Sequence, residues 1–504
     1  MRRIDPQPAS GFSDLLPKEL AVRQEMIDSV RASFARNGFS FISTPALERE
    51  EVLTGGDPLF AKQIYRAKIT EDDAPLGLRF DLTVPLARFV AAHADDLVFP
   101  FSVSHIGPVW RGEHTQAGRW RQFIQCDADI VGATELTADA QILALVYSTL
   151  SDLGLSDRIA IRISNRKILG GLPEFFNFDQ KLLPQVLRAI DKLEKQPWKE
   201  IADELKSLGL DSSAIDGIQE LLSIRASDPI ELLDQADKYL KFAPQSHEGI
   251  QELRELSGYL DALNVPRTTW SFDLSIARGL GYYTGMVYET SLVALPRIGS
   301  VSSGGRYDEL VSRFAPLRIA GVGMSIGIDR LRVALDELGI ARTPNIGAAV
   351  GVLNFDESCK LVVLRLASDL RNAGISTALY TGTDNSLKGQ LSWALRSQFK
   401  IALLVGPQEK DRNVVQIKQL EARTQDEVPL AQIIGKCRES SCFAPRDKSI
   451  IRPATYGPRS VISTITIAPF AGRTTRTIDP SGSVLCAAEM PCLSYSSPDA
   501  VVRP

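Results

Sequence analysis

Several strand-like segments lie close together in the first third of the chain, with little helical sequence between them. Residues 76–81, 101–109 and 120–131 alternate apolar and polar side chains, and residues 158–164 form a further strand-like run. Such alternation predicts strands with one face turned to a core. Strands that follow one another so closely favour antiparallel pairing, because parallel strands need long crossover connections. We therefore predict an α+β fold, in which an antiparallel sheet carries packed helices.

Helical sequence flanks and interrupts this sheet. Apolar residues at helical spacing predict helices over 19–37 and 135–154, and a region rich in Leu, Glu, Lys and Asp, about 176–262, is interpreted as a helical insertion. Strand patterns return further along the chain, at 270–276, 285–293 and 298–303. A glycine-rich strand then leads into a helix that ends near Gly339. Residues 1–340 are therefore predicted to form one α+β domain with an insertion.

The sequence changes character after residue 340. Residues 345–435 alternate strand and helix patterns, which predicts a small α/β domain with a parallel or mixed sheet. Asp356 precedes the first helix of this domain and is expected to cap its backbone amides. Residues 436–504 contain 8 of the 28 prolines and four of the six cysteines, and their pattern has no lasting period. We predict a disordered tail there, without a packed core.

Composition and charge exclude several classes of protein. Of the 504 residues, 44% are hydrophobic, which is ordinary for a globular chain. No run of about 18 uncharged apolar residues predicts a membrane span, and the N-terminus lacks the apolar run of a secretory signal, so a cytoplasmic protein is expected. The net charge of −4 limits nucleic-acid binding to local basic patches. The cysteines and histidines lack the spacing of a metal site, and no structural metal is expected.

Five segments combine arginine, carboxylate, tyrosine and glycine residues. They are 79–88 (RFDLTVPLAR), 107–132 (GPVWRGEHTQAGRWRQFIQCDADIVG), 278–289 (RGLGYYTGMVYE), 302–310 (SSGGRYDEL) and 321–331 (GVGMSIGIDRL). In the first segment Asp81 and Thr83 are two residues apart, and we expect them on one side of a strand. The second segment predicts a strand–loop–strand unit rich in arginine. Arginine forks fit phosphate and carboxylate groups, so these segments are candidates for an anion site.

Each segment also has a purely structural interpretation. Arginines of a surface hairpin usually contact only solvent, Tyr282 and Tyr283 could pack in a sheet, and Gly304 and Gly305 could form a tight turn. The GVGMSIG run has neither the spacing nor the following acidic residue of a dinucleotide-binding loop, which argues against that site. A functional site is favoured because all five segments occur together, in one order, within one α+β unit.

Taken together, these segments resemble the histidyl-tRNA synthetase family of the class II aminoacyl-tRNA synthetases. GPVWRGE with RQFIQCD is similar to motif 2 of the class, and GVGMSIGIDRL to motif 3. RGLGYYTGMVYE and SSGGRYDEL are similar to the two segments specific to the histidine enzymes, and GFSDLLP to their usual opening. Residues 348–435 resemble the anticodon-binding domain. QCDADIVG resembles the eukaryotic and alphaproteobacterial branch. The resemblance covers about residues 8–435.

The resemblance implies a class II catalytic core with a helical insertion and a small α/β anticodon-binding domain. It implies a histidine–tRNA ligase that activates L-histidine with ATP and Mg²⁺ to histidyl-adenylate and transfers the histidyl group to the 3′ end of tRNA(His). A homodimer that pairs through residues 19–49 is expected. A histidine-sensing regulatory paralogue of ATP phosphoribosyltransferase remains the alternative, although such subunits lack the anticodon domain and erode the Arg278 segment. An RNA-binding adaptor without chemistry is disfavoured by the retained arginines.

The resemblance also assigns roles to single residues. Arg111 and Arg278 are implied to be catalytic, because they would hold the α-phosphate of ATP. The residues implied to bind histidine are Asp81, Thr83, Arg111, Gln125, Asp129, Arg278, Tyr282 and Tyr283. The residues implied to bind ATP are Arg111, Glu113, Arg119, Phe123 and Arg330. None is implied to be a protein ligand to a metal. The chain departs from the family at Gly281, where the family usually has Asp or Glu.

Overall fold

The structure is a computed structural model. It describes residues 3–55, 63–68, 70, 74–112, 118–194, 196–240, 242–277, 282–340 and 349–439. Three positions named above, Glu113, Arg278 and Gly281, lie outside the described residues, and so does the segment 440–504 of the predicted tail.

The first part of the chain alternates short helices with strands. Its helices are α1 (Pro17–Arg36), α2 (Glu50–Thr54), α3 (Thr83–Ala92) and α4 (Leu136–Asp152). Its strands are β1 (Ser40–Ile42), β2 (Leu47–Arg49), β3 (Arg66–Ala67), β4 (Leu76–Leu78), β5 (Phe101–Trp110), β6 (Gln122–Val131) and β7 (Ile159–Asn165).

A run of helices follows β7, and strands return after it. The helices are α5 (Arg166–Gly170), α6 (Leu172–Phe176), α7 (Leu183–Ile190), α8 (Trp198–Ser207), α9 (Ser212–Leu222), α10 (Pro229–Leu240) and α11 (Pro244–Ala262). The elements after them are β8 (Trp270–Phe272), β9 (Met286–Leu292), β10 (Ser302–Tyr307), β11 (Gly321–Gly327) and α12 (Ile328–Glu337). Short 3₁₀ helices lie at Gln180–Leu182, Asp191–Glu194, Arg267–Thr269, Pro296–Ile298 and Val311–Arg313.

Eight strands form the main sheet, in the order β1-β5-β6-β11-β10-β9-β7-β8. The pairings from β5 to β7 are antiparallel, and the two edge pairings, β1 with β5 and β7 with β8, are parallel. The predicted antiparallel α+β core is therefore confirmed. A smaller sheet has the order β2-β4-β3.

The two faces of the main sheet differ in what covers them. On β6, Cys126, Ala128 and Ile130 belong to the same hydrophobic cluster as buried residues of α1, α4 and the helices after β7. Side chains alternate between the faces of a strand, so Gln125 and Asp129 project from the opposite face. One face of the sheet is therefore a helix-covered core, and the other carries polar groups.

Residues 349–439 form a separate sheet with its own helices. Their elements are β12 (Val350–Val352), α13 (Lys360–Asn372), β13 (Thr377–Leu379), α14 (Leu387–Arg396), β14 (Ile401–Leu404), α15 (Pro407–Asp411), β15 (Val414–Gln419), β16 (Thr424–Pro429) and α16 (Ile433–Glu439), with 3₁₀ helices at Glu357–Cys359 and Leu430–Gln432. The strand order is β13-β12-β14-β15-β16, parallel at its start and antiparallel at its end. The predicted mixed α/β sheet is confirmed. Asp356 caps the helical segment, since its side chain accepts from the amide of Ser358.

Two local predictions were wrong. Strand β4 ends at Leu78 and Thr83 begins α3, so Asp81 and Thr83 do not lie on a strand. The alternation of residues 79–82 was misleading because all four are buried, and the Asp81 carboxylate accepts from the amide of Val84 in the first turn of α3.

Gly304 and Gly305 do not form a turn either, because both lie within β10. A Cβ at Gly304 would overlap the carbonyl of Gly323, and one at Gly305 would crowd the carbonyl of Met286. These glycines are needed because backbone groups of the neighbouring strands approach them closely. Helix α16 also reaches Glu439, inside the predicted tail. Every helix in the described ranges is too short or too polar to cross a bilayer.

Candidate active site

A cavity of about 150 Å³ opens on the polar face of the main sheet. Nine of the predicted site residues line it, and they are Asp81, Thr83, Arg111, Arg119, Phe123, Gln125, Tyr282, Tyr283 and Arg330. These residues come from four of the five segments singled out above, and the fold brings them to one place. Asp129 is fully buried and does not line the cavity.

Arg111 is held in a defined orientation at the end of β5. Its Nε donates to the carbonyl of Phe80 at 2.9 Å, and its guanidinium lies over the ring of Phe123, 5.2 Å from the centroid. A long contact of 3.5 Å joins it to Gln125 Oε1. Gln125 in turn donates from Nε2 to the hydroxyl of Ser325 at 2.6 Å. The arginine is therefore oriented before any ligand binds, as transition-state stabilisation requires.

Asp129 has a partner that the sequence analysis did not select. The hydroxyl of Tyr307 donates to Asp129 Oδ1 at 2.6 Å, and both residues are buried. A Cβ at Gly323 would overlap the Asp129 carboxylate, and a Cβ at Gly321 would overlap the ring of Tyr307. The two glycines of β11 thus leave room for this pair. No local pattern marked Tyr307, because its partner Asp129 lies 178 residues away in the sequence.

Three buried carboxyl groups lie near one another on this face. Burial raises the pKa of Asp81 to about 6 and that of Asp129 to about 7, and the Tyr307 hydrogen bond counteracts part of the rise for Asp129. Burial, with Asp129 nearby, raises the pKa of Asp127 well above its usual range. Neither Asp127 oxygen has a hydrogen bond of good geometry. Such a cluster favours a ligand that brings N–H groups.

The two adjacent tyrosines close another side of the cavity. Their rings lie 4.9 Å apart in an edge-to-face arrangement, and Tyr282 lies 6.1 Å from the ring of Tyr307. Thr83 beside Tyr282, and Tyr282 beside Tyr283, counteract part of the pKa rise that burial causes in these two phenols. Burial raises the pKa of both phenols, so they remain neutral hydrogen-bonding groups.

Arg330 and its neighbour Asp329 join α12 to the wall of the cavity. Arg330 Nη1 donates to the carbonyl of Ser300 at 2.5 Å. Asp329 accepts from the amide of Ile124 at 2.8 Å and from Arg23 of α1 at 3.3 Å. These bonds fix the start of α12 against β6. They place Arg330 at the same cavity as Phe123.

Comparison with known proteins decides the family. The sequence profile described as Histidyl-tRNA synthetase matches residues 11–331, and the one described as Anticodon binding domain matches residues 348–440. The chain belongs to the histidyl-tRNA synthetase family. It is 39% identical over 424 residues to a histidine–tRNA ligase of Wolinella succinogenes, which covers 83% of this chain and 94% of that protein.

Two further comparisons agree with this family. A histidine–tRNA ligase of Clostridium tetani is 38% identical over 441 residues, covering 86% of this chain and 98% of that protein. The crystal structure of histidyl-tRNA synthetase from Nostoc sp. PCC 7120 superposes with a TM-score of 0.73 at 32% identity, covering 86% of this chain and 99% of the other.

The histidyl-tRNA synthetase assignment agrees with the kind of chemistry that the cavity can support. Two anions, a carboxylate and a phosphate, must approach each other during adenylation, and Arg111, Arg119 and Arg330 supply positive charge around the space. In the described ranges no group of three or more His, Cys, Asp and Glu side chains could hold a metal ion.

Further residues line the cavity that were not singled out from the sequence. They are Gly118, Trp120, Ser300, Val301, Ser302, Ser303, Ser325 and Gly327. Among these, Ser325 accepts from Gln125 and Ser300 accepts from Arg330 through its carbonyl, so both contact predicted site residues. Serine and glycine are common in any loop or strand, and their types alone gave no reason to select them.

Proposed function

We propose that the chain is a histidine–tRNA ligase that works in two steps. In the first, a carboxylate oxygen of L-histidine attacks the α-phosphorus of ATP, and pyrophosphate leaves. In the second, a hydroxyl group at the 3′ end of tRNA(His) attacks the carbonyl carbon of the adenylate, and AMP leaves. The observation that carries the proposal is the convergence of nine predicted site residues on one cavity.

Arg111 is assigned to the α-phosphate and the histidine carboxylate. Its Nε is already used by the carbonyl of Phe80, which leaves the terminal nitrogens of the fork for the ligand. Negative charge grows on the phosphate oxygens as the new bond forms, and a fixed guanidinium stabilises it without reorganisation. Arg278 is assigned to the same phosphate on the strength of the family resemblance.

The histidine side chain is assigned to the buried polar face. Asp129 accepts from one ring nitrogen, and a hydroxyl of the Tyr282–Tyr283 pair serves the other. Asp81, Thr83 and Gln125 are assigned to the α-amino and carboxylate groups, because they line the cavity next to Arg111. A ligand that lacked these groups would leave buried polar atoms unpaired, which costs about 1–3 kcal/mol for each. This site should reject apolar amino acids without editing.

The nucleotide is assigned to the arginine-rich side of the cavity. Phe123 and Arg330 would hold the adenine ring, Glu113 would accept from its amino group, and Arg119 would contact the distal phosphates. Mg²⁺ enters on those phosphates as part of the substrate. The described residues supply positive charge and a flat aromatic surface there, which suits a nucleotide.

The remaining parts of the proposal concern partners. We assign residues 345–435 to anticodon recognition and 1–340 to catalysis, with an insertion at about 176–262, in a cytoplasmic homodimer that pairs through residues 19–49. Exposed Leu20, Phe41 and Leu47 support that interface. The assignment to the eukaryotic and alphaproteobacterial branch rests on QCDADIVG alone, and a phylogenetic tree would test it.

The experiment is histidine-dependent exchange of pyrophosphate into ATP, followed by histidylation of tRNA(His). A ligase gives both activities. The regulatory paralogue of ATP phosphoribosyltransferase would bind histidine without exchange, and it is disfavoured because the anticodon-domain profile matches residues 348–440. An RNA-binding adaptor would give neither activity. Absence of exchange from the folded protein with ATP, Mg²⁺ and histidine would contradict the proposal.

A further inference from the structure

One arginine outside the cavity holds both ends of a segment that contributes to it. Arg166 is the first residue of α5. Its guanidinium Nη1 donates to the carbonyl of Ala277 at 2.6 Å, and its backbone amide donates to the carbonyl of Gly285 at 2.8 Å. The side chain and the main chain of one residue therefore bracket the segment 278–284.

The bracketed segment carries groups that the proposed chemistry needs. Tyr282 and Tyr283 line the cavity, and Arg278 belongs to the same segment in the sequence. The segment also contains Gly279 and Gly281.

The anchor at Ala277 is itself part of a hydrogen-bonded turn. The Asp273 carboxylate accepts from both the amide and the hydroxyl of Ser275, at 2.9 and 2.6 Å, and Arg162 donates to the same carboxylate at 3.3 Å. The amide of Ala277 then donates to the carbonyl of Ser275 at 2.8 Å. Arg166 therefore contacts the last residue of an ordered turn. Its contact would fix the direction in which the chain leaves that turn.

The surroundings of Arg166 favour a strong contact with Ala277. Burial lowers the pKa of the guanidinium, and the charge of Asp191 offsets this effect. Asp191, which follows α7, lines with Ala277 a neighbouring cavity of about 200 Å³. Hydrogen bonds from a cationic donor are stronger than neutral ones when water is excluded. The helices after β7 thus contribute a charge that keeps the arginine in place.

We propose that Arg166 is a positioning residue, which sets the geometry of Tyr282 and Tyr283 by holding Ala277 and Gly285. The inference rests on the proposed function and deepens it. Arg166 need not touch histidine or ATP. Its effect should appear as weaker histidine binding, through the two tyrosines.

The test compares Arg166→Gln and Arg166→Lys with the matched control Lys167→Gln. Lys167 is the next residue, and its ion pairs with Glu248 and Glu252, at 2.7 and 2.5 Å, do not involve the bracketed segment. We expect Arg166→Gln to lower kcat/KM for histidine in pyrophosphate exchange by about 10- to 100-fold, as for loss of a charge-assisted hydrogen bond. KM for ATP should change less. Arg166→Lys should recover most of the loss, because one cationic donor is enough for a single carbonyl. Lys167→Gln should match the wild type.

A double-mutant cycle separates positioning from a general structural effect. Tyr283→Phe removes a group that Arg166 is proposed to position, so Arg166→Gln should cost less in that background than in the wild type. Additive losses, or wild-type kinetics in Arg166→Gln, would overturn the inference. If Arg166→Gln does not fold, Arg166→Met, which keeps the length of the side chain and removes the donor to Ala277, is measured in its place, and unchanged kinetics for both substrates in that variant would overturn the inference. An inactive wild-type protein would instead refute the proposed function.

Discussion

Removal of the Tyr307 hydroxyl tests the electrostatics of the proposed histidine pocket. Tyr307→Phe deletes the hydrogen bond to Asp129 Oδ1, which is 2.6 Å long and fully buried, and leaves the ring in place over Gly321. That bond favours the ionised carboxylate, so its loss should raise the pKa of Asp129 above its present value of about 7. Asp81 on the same face acts in the same direction, because it adds negative charge.

The size of the effect follows from the energy of one buried bond. A hydrogen bond to a charged group contributes about 1.5–3 kcal/mol, which corresponds to a pKa rise of about 1–2 units. If only ionised Asp129 accepts from the imidazole ring, KM for histidine should rise about 3- to 25-fold at pH 7.5, and only about 1- to 2-fold at pH 9. The acid limb of histidine binding therefore moves to higher pH. KM for ATP should change little.

The assay is pyrophosphate exchange at pH 7 to 9 with histidine and ATP varied separately. Tyr380→Phe is the control, because its buried hydroxyl accepts a 3.2 Å hydrogen bond from the amide of Asp384 in the separate domain of residues 349–439. It should lose stability without a shift of the acid limb. A ratio of the histidine KM values of Tyr307→Phe and wild type that stays the same from pH 7 to pH 9 would refute the reasoning.

Three more changes test other groups. Arg278→Ala should abolish most pyrophosphate exchange and leave the melting temperature unchanged, because a phosphate-facing arginine contributes about 3 kcal/mol or more; near-normal exchange would contradict its role. Asp129→Asn should raise KM for histidine much more than KM for ATP, and equal effects would make Asp129 structural. Asp127→Asn should melt at progressively higher temperature than wild type between pH 5 and pH 7. In the folded wild type the Asp127 carboxyl keeps a proton that it releases above about pH 4 in the unfolded chain. The free energy of unfolding of the wild type therefore falls by about 1.4 kcal/mol per pH unit until the pH reaches the raised pKa of the folded state. Parallel melting curves would show that Asp127 ionises normally.

The sheet was predictable because its longest strands have strong local patterns. Strands β5 and β6 follow the alternation of residues 101–109 and 120–131 almost residue for residue. Their pairing aligns Val109 with Phe123 and Gly107 with Gln125. A two-residue period shared by neighbouring segments is enough to predict such a pair. The residues that join the two strands contain Arg111 and Arg119, so a correct sheet already brought two of the predicted site residues together.

The segment around Asp81 was less predictable because the chain leaves its strand after Leu78 and begins a helix at Thr83. Arg79 is buried and donates to the carbonyls of Pro108 and Thr44, at 3.0 and 2.8 Å, so it serves as a structural group. Asp81 is buried beside it and bonds to the start of α3. A polar residue in such a run predicts a solvent-facing side only when no group inside the protein can form a hydrogen bond with it. Here backbone carbonyls and amides do so, and these partners are set by tertiary structure.

Tyr307 and Asp127 could not be assigned from the sequence because their roles depend on strands that are far apart in the chain. Tyr307 reaches Asp129 across β11, over 178 residues of sequence separation. Strand β11 has glycines where the side chains of Tyr307 and Asp129 meet above it. Gly323 pairs with Asp129, and Gly321 pairs with Val131. Only the register of three strands shows which side chain each glycine accommodates.

The polar face also explains why a stable fold retains costly groups. A buried carboxyl without a hydrogen bond, such as Asp127, destabilises the folded state at neutral pH, and a hydrophobic side chain there would not. On the opposite face of β6 the neighbouring positions hold Cys126 and Ala128, which pack in the hydrophobic core. Buried polar groups that destabilise the free protein are expected at sites where a bound ligand completes their hydrogen bonds. An imidazole ring bound among Asp129, Tyr282 and Tyr283 would supply the N–H groups that this face lacks.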